Sequence, residues 1–138
     1  MAAVSGGQGI LDFEPGYHRA RIAEVFSSYG PEGMALYGRI QALDLLNPAL
    51  YSLLAAALTA MVWRAWGPGW LTCLPFLPAL GDYAENITLF LLARGFPEVP
   101  EGLVAISSTL GLIKLGLMAV GFAPLLVGLA LRGLRRGG

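Results

Sequence analysis

Three long apolar stretches, near residues 45–66, 70–93 and 103–131, fall within a chain of 138 residues. To bury three such runs inside a water-soluble fold, a chain needs a polar surface that this one lacks. Only 13% of its residues are charged, against about 25% in ordinary soluble domains. Its mean hydropathy is +0.64. A hydrocarbon solvent removes the difficulty, because a helix of about 20 apolar residues spans a bilayer with its backbone hydrogen bonds made internally. The expected fold is an all-α membrane protein: a bundle of three transmembrane helices plus a short N-terminal amphipathic helix.

Residues 1–16 are rich in Gly and Ser and read as an irregular arm. No positively charged segment precedes an apolar one there, so no cleavable signal peptide is expected. Over 17–29, Ile22, Val25, Phe26 and Tyr29 recur at helical spacing while Arg19, Arg21 and Glu24 lie elsewhere around the helix, which predicts an amphipathic helix lying at the membrane interface. Gly30-Pro31 reads as a stop followed by a start. The bundle itself is expected over 32–131, and 132–138 forms a basic C-terminal tail. Pro48 cannot donate to the carbonyl of residue 44, so a kink is expected around Asp44–Pro48. Trp63, Arg64 and Trp66 form an aromatic and basic cluster of the kind found at a bilayer surface. Pro75 and Pro78 should bend or delay the second span.

Arginines at 132, 135 and 136 against one in the 94–102 loop place the C-terminus in the cytoplasm, in the plasma membrane if the protein is bacterial. The net charge is zero and no basic block lies outside the C-terminus, so nucleic acid is not an expected partner. The lone Cys73 forms no intrachain disulfide. No Ser-His-Asp set, phosphate loop or paired-cysteine motif is present, and the sequence assigns neither catalytic residues nor a cofactor.

Asp44, Asp82, Glu85 and Lys114 stand in or beside the apolar stretches. Each charge near a helix centre disfavours insertion by about 2.5–3.5 kcal/mol, so the two in the second stretch roughly cancel the gain from its ten Leu, Ile and Phe residues, about 3–6 kcal/mol. That helix needs partners. Asp82, Glu85 and Asn86 share one helix face. Ser107, Gly111, Lys114, Met118 and Gly121 form a stripe of small residues around one ammonium on the third span. Asp82 lies eleven residues before Ala93, and Lys114 eleven residues after Leu103, on oppositely directed helices. Both then sit about 16 Å deep. The expected result is a polar intramembrane cluster of Asp44, Asp82, Glu85, Asn86 and Lys114, with Lys114 paired to an acid. Such groups often mark proton, ion or substrate paths. The same cluster can instead simply lock three helices together. A hard cation could be held by the acids, but Lys114 competes for them, and no metal site is assigned. The sequon Asn86-Ile87-Thr88 lies within a span, where it is not expected to carry a glycan, and His18 reads as a solvated or interfacial residue.

YGRIQALDLLNP (37–48) after Gly-Pro-Glu-Gly, then Asp82-Tyr83-Ala84-Glu85-Asn86, then TLGLIK (109–114) form an ordered set. The set resembles a group of small, uncharacterised polytopic integral membrane proteins of bacterial type, with the pattern PEG-x-x-LY…D-x-x-x-P, D-x-x-EN and a lysine in the last span. The resemblance covers roughly residues 11–131. It implies a four-span architecture and assigns no activity. This sequence lacks the first span that the similar proteins place before the segment beginning at Pro15. One side of the bundle would then be open, which suggests a homo-oligomer or a membrane-protein partner besides the lipid bilayer. Three functions compete: a structural, regulatory or interaction module of a membrane assembly; a small transporter, proton path or sensor built on the acid–lysine cluster; and a membrane-embedded enzyme using Asp82 or Glu85. The surroundings of Glu85 discriminate among them: dry and paired, open to water, or open to lipid.

Overall fold

The computed structural model describes residues 14, 16–65 and 67–136, with the side chains of 135 and 136 left aside. Most of the expected N-terminal arm and Trp66 lie outside the described residues. All regular structure among these is helical: α1 (Arg19–Asp44), α2 (Asn47–Trp63), a 3₁₀ segment (Gly69–Phe76), α3 (Leu77–Gly95) and α4 (Glu101–Arg136).

α1 is two helices joined at Gly30, whose φ of 62° and ψ of −178° are open almost only to glycine. Pro31 starts the second half, where its missing N–H would have had no helical partner. In the first half, the residues placed on the apolar face are the buried ones: Ile22, Val25 and Phe26 are fully buried and Tyr29 nearly so. They meet Tyr37, Leu89, Leu92, Val99 and Val104 in one hydrophobic core. This core caps the C-terminal end of α3 and the start of α4. On the polar face Arg21 holds Glu14 at 2.6 Å and Glu24 at 3.1 Å. The Arg21 hydrogen bonds keep the Glu14 carboxyl below its ordinary pKa.

The expected kink is a break. α1 ends at Asp44, Leu45 and Leu46 form a turn, and Pro48 stands at the start of α2. The Leu45 carbonyl is taken by the Tyr83 hydroxyl at 2.9 Å. The span expected over 70–93 is likewise divided. Pro75 lies inside the 3₁₀ segment, and the α-helix begins only at Leu77, with Pro78 in its first turn. The third expected span runs further than its apolar stretch, as α4 continues through Pro124 and the basic tail to Arg136.

Two helical stretches, Arg19–Trp63 and Glu101–Leu134, are long and apolar enough to cross a membrane. Only 28% and 22% of their most apolar windows is buried within the chain. Leu50, Leu53, Leu54 and Met61 on α2, and Leu126, Val127 and Leu129 on α4, are all at least half exposed.

Small residues bring α3 and α4 together. A Cβ at Gly81 would stand 3.1 Å from the Lys114 backbone, and one at Gly121 would stand 2.7 Å from the Pro78 ring and 2.9 Å from the Leu74 carbonyl. Neither a proline ring nor a carbonyl can swing aside. Gly121→Ala is therefore expected to lose about 1–3 kcal/mol. Gly116→Ala, on the open side of the same helix with nothing within 4 Å, should be neutral or gain up to about 1 kcal/mol. Thermal melts of the two variants in detergent check the contrast.

At the opposite end from the aromatic core, α2 is fastened to α4. The Trp63 indole donates to the Pro124 carbonyl at 2.9 Å, and Arg132 donates to the Met61 carbonyl at 2.6 Å. Trp63 lies against Gly128, where a Cβ would come within 2.7 Å of its Nε1.

Candidate functional site

The five residues singled out in the sequence are drawn from three helices. Asp44 ends α1, Asp82, Glu85 and Asn86 lie on α3, and Lys114 lies on α4. The spacing of α3 turns its three polar residues, with Pro78 and Gly81, onto the face buried against the other helices. The 4-3 stripe of α4 presents Lys114 at the same level.

Lys114 Nζ stands 2.5 Å from Glu85 Oε2 and 3.4 Å from Asp82 Oδ1. The Glu85 contact is an ion pair by distance whose angles do not make it a hydrogen bond, since Oε2 has no directional partner. A separation this short between opposite charges is what satisfies the oxygen, so the pairing stands. Glu85 is 2% exposed, Asp82 6% and Lys114 8%, so all three charged residues are buried in the bundle. Glu85 fits because the facing residue is Gly111, where a Cβ would stand 2.6 Å from Oε1.

A second layer surrounds the pair. Tyr51 of α2 donates to Asp82 Oδ2 at 3.0 Å. Asn86 Nδ2 donates to Asp44 Oδ2 at 3.1 Å, which ties the end of α1 to α3. One turn further along α3, Thr88 donates to Ser107 at 2.8 Å or to the Glu85 carbonyl at 2.7 Å, and Ser107 shares a hydrogen bond of 2.5 Å with the Tyr17 hydroxyl. All three hydroxyl residues are buried. The N-terminal segment is thereby joined to α3 and α4 beside the charged pair.

The expected pairing of Lys114 with an acid is therefore present, and Lys114 reaches both acids. Asp44 joins the cluster through the hydrogen bond it accepts from Asn86. Sequence reasoning missed Tyr51, Thr88 and Tyr17. For Tyr51 a signal was available: Asp44, Pro48 and Tyr51 recur at i, i+4, i+7, and Pro48, Ser52, Ala55, Thr59 and Val62 form the buried face of α2 at the same alternation. Among the described residues no three His, Cys, Asp or Glu side chains converge to hold a metal ion.

Tyr51→Phe should cost about 1.5 kcal/mol, the lower end for a hydrogen bond to a charged group, since Tyr51 is only partly buried. A detergent melt of Tyr51→Phe beside Asp82→Ala, which removes the acceptor, and the double variant reads the coupling directly. If the double variant loses the sum of the two single losses, the bond contributes nothing.

No family model matches the chain, and comparison with curated proteins and with solved structures returns no match.

Proposed function

We propose that the chain is a multi-pass integral membrane protein with three spans and a cytoplasmic C-terminus, and that it serves as a structural, regulatory or interaction module of a membrane assembly. The membrane reading is supported by the two long apolar stretches and by the exposed aliphatic side chains along α2 and α4. In water such a surface would aggregate. The α3 segment joins as a third span because the charges that would keep it out of lipid are paired against α4.

The observation that carries the functional reading is the setting of Glu85. It is 2% exposed, seated over Gly111 and held by Lys114. A dry, paired carboxylate suits a lock between helices better than a site that exchanges protons or substrate with water. A proton path is the second reading. The observation favouring it is the run of hydroxyls from Tyr17 through Ser107 to Thr88, which ends one turn from Glu85.

Crosslinking and pull-down from native membranes test the first reading. A stoichiometric partner or a homo-oligomer is the expected result. A monomer without one, whose pH-driven uptake into vesicles is abolished by Glu85→Gln, would establish the second reading instead. Topology is checked by Glu98→Cys labelling in a Cys73→Ser background, because Cys73 is itself exposed. Labelling from outside is expected, and labelling only from the cytoplasmic face overturns the orientation.

A further inference from the structure

The zero net charge of the chain hides a separation of charge along it. Every Asp and Glu lies at or before Asp44 or within 82–101. Residues 45–81 and 115–138 hold Arg64, Arg132, Arg135 and Arg136 and no acid. The fold brings the ends of α2 and α4 together. Trp63 lies against Gly128, and Arg132 donates to the carbonyl of Met61, which stands one turn before Arg64. Arg64 is exposed at the end of α2. The bond to Met61 uses one N–H of the Arg132 guanidinium, which carries others in the same plane. Lys114, which holds the acids of α3, lies eighteen residues back along α4. That is about 27 Å, well beyond a screening length of about 10 Å, so the buried acids do not neutralise this end.

Charge is one half of this surface, and the other half is apolar. Met61 is 65% exposed, Leu129 51% and Leu134 74%, beside or between the arginines. We propose that this end of the bundle binds an anionic phospholipid, with its phosphate on Arg64 and Arg132 and an acyl chain beside Met61 and Leu129. A guanidinium meets a phosphate with paired N–H···O bonds. Free phosphate or an acidic peptide would satisfy the arginines and leave the aliphatic side chains bare. A zwitterionic lipid offers the same phosphate, but its choline brings a further cation to an end that holds only cations. Each arginine near an anionic bilayer surface is worth about a fivefold gain in binding.

The inference rests on the membrane reading above, and the two fail differently. All of the tryptophans of the chain fall within 63–70, so their fluorescence reports on this end alone. The full-length chain is reconstituted in phosphatidylcholine vesicles, and part of the lipid is replaced by brominated phosphatidylglycerol or brominated phosphatidylcholine, which quench a neighbouring indole. A chain that does not enter the vesicles refutes the membrane reading and this site with it. For a chain that does enter, the exchange constant from quenching should favour phosphatidylglycerol at least about fivefold. Arg64→Gln with Arg132→Gln should bring it close to one. Arg64→Gln alone changes an exposed residue and should lower the constant with the melting temperature kept, so the test does not depend on the tie to Met61. Arg19→Gln, exposed at the far end, should leave the constant as it was. Equal quenching by the two lipids, a preference that survives Arg64→Gln, or an equal loss in Arg19→Gln would overturn the proposal and leave the membrane reading standing.

Discussion

Lys114→Met is expected to lower the stability of the bundle by about 3–5 kcal/mol, because two buried carboxylates lose the cation that pairs with both of them. The loss comes from what remains. Glu85 stays seated over Gly111 and Asp82 stays beside Tyr51, both buried and both without the ammonium that paired them. The triple variant Lys114→Met, Asp82→Asn, Glu85→Gln should recover most of the loss. It removes all three charges while leaving Tyr51 an amide oxygen to donate to. Melts in detergent give both numbers. If Lys114→Met melts like the parent chain, the ammonium is not holding the helices. If the triple variant melts normally in membranes that have lost a growth or uptake phenotype, the cluster does more than lock.

Phe26→Asp is the other large effect. The ring is fully buried, with ring centroids 5.5 Å from Tyr37, 5.8 Å from Phe96 and 6.3 Å from Tyr29. Truncation of such a side chain to Ala costs about 3–5 kcal/mol from lost contacts and the cavity left behind. A carboxylate in the same place adds desolvation, so Phe26→Asp should prevent the first half of α1 from docking. Limited proteolysis should then cut near Gly30. The neighbouring Ser27 is exposed, and Ser27→Asp should leave both the melt and the digest unchanged. Unchanged behaviour in Phe26→Asp would mean that this helix is not docked on the bundle.

What the sequence made legible was whatever repeats with the helix. The buried face of the first half of α1, the small-residue stripe of α4 and the polar face of α3 are all spacing patterns, and each lies where its pattern put it. Pairing across α3 and α4 was legible because two charges at equal depth in apolar surroundings have few alternatives. Contacts made by single side chains carried no such pattern. Nothing in the sequence says that Tyr83 reaches Leu45, or that Tyr17 reaches Ser107 across 90 positions. Prolines marked helix breaks without giving their form. Pro48 and Pro78 turned out to begin helices, and the stretch around Pro75 is 3₁₀.

Several of the links between helices end on main-chain oxygens. Trp63 donates to the carbonyl of Pro124, Arg132 to that of Met61, and Tyr83 to that of Leu45. A backbone acceptor exists whatever side chain the residue carries. Chains that share this fold are therefore free to drift at 45 and 61, where the side chains are 45% and 65% exposed, without losing these ties. The donors have no such freedom, since only an indole, a guanidinium or a phenol of the right reach makes the bond. In an alignment of such sequences the restraint should fall on one side of each link, with Trp63, Arg132 and Tyr83 retained opposite positions that vary.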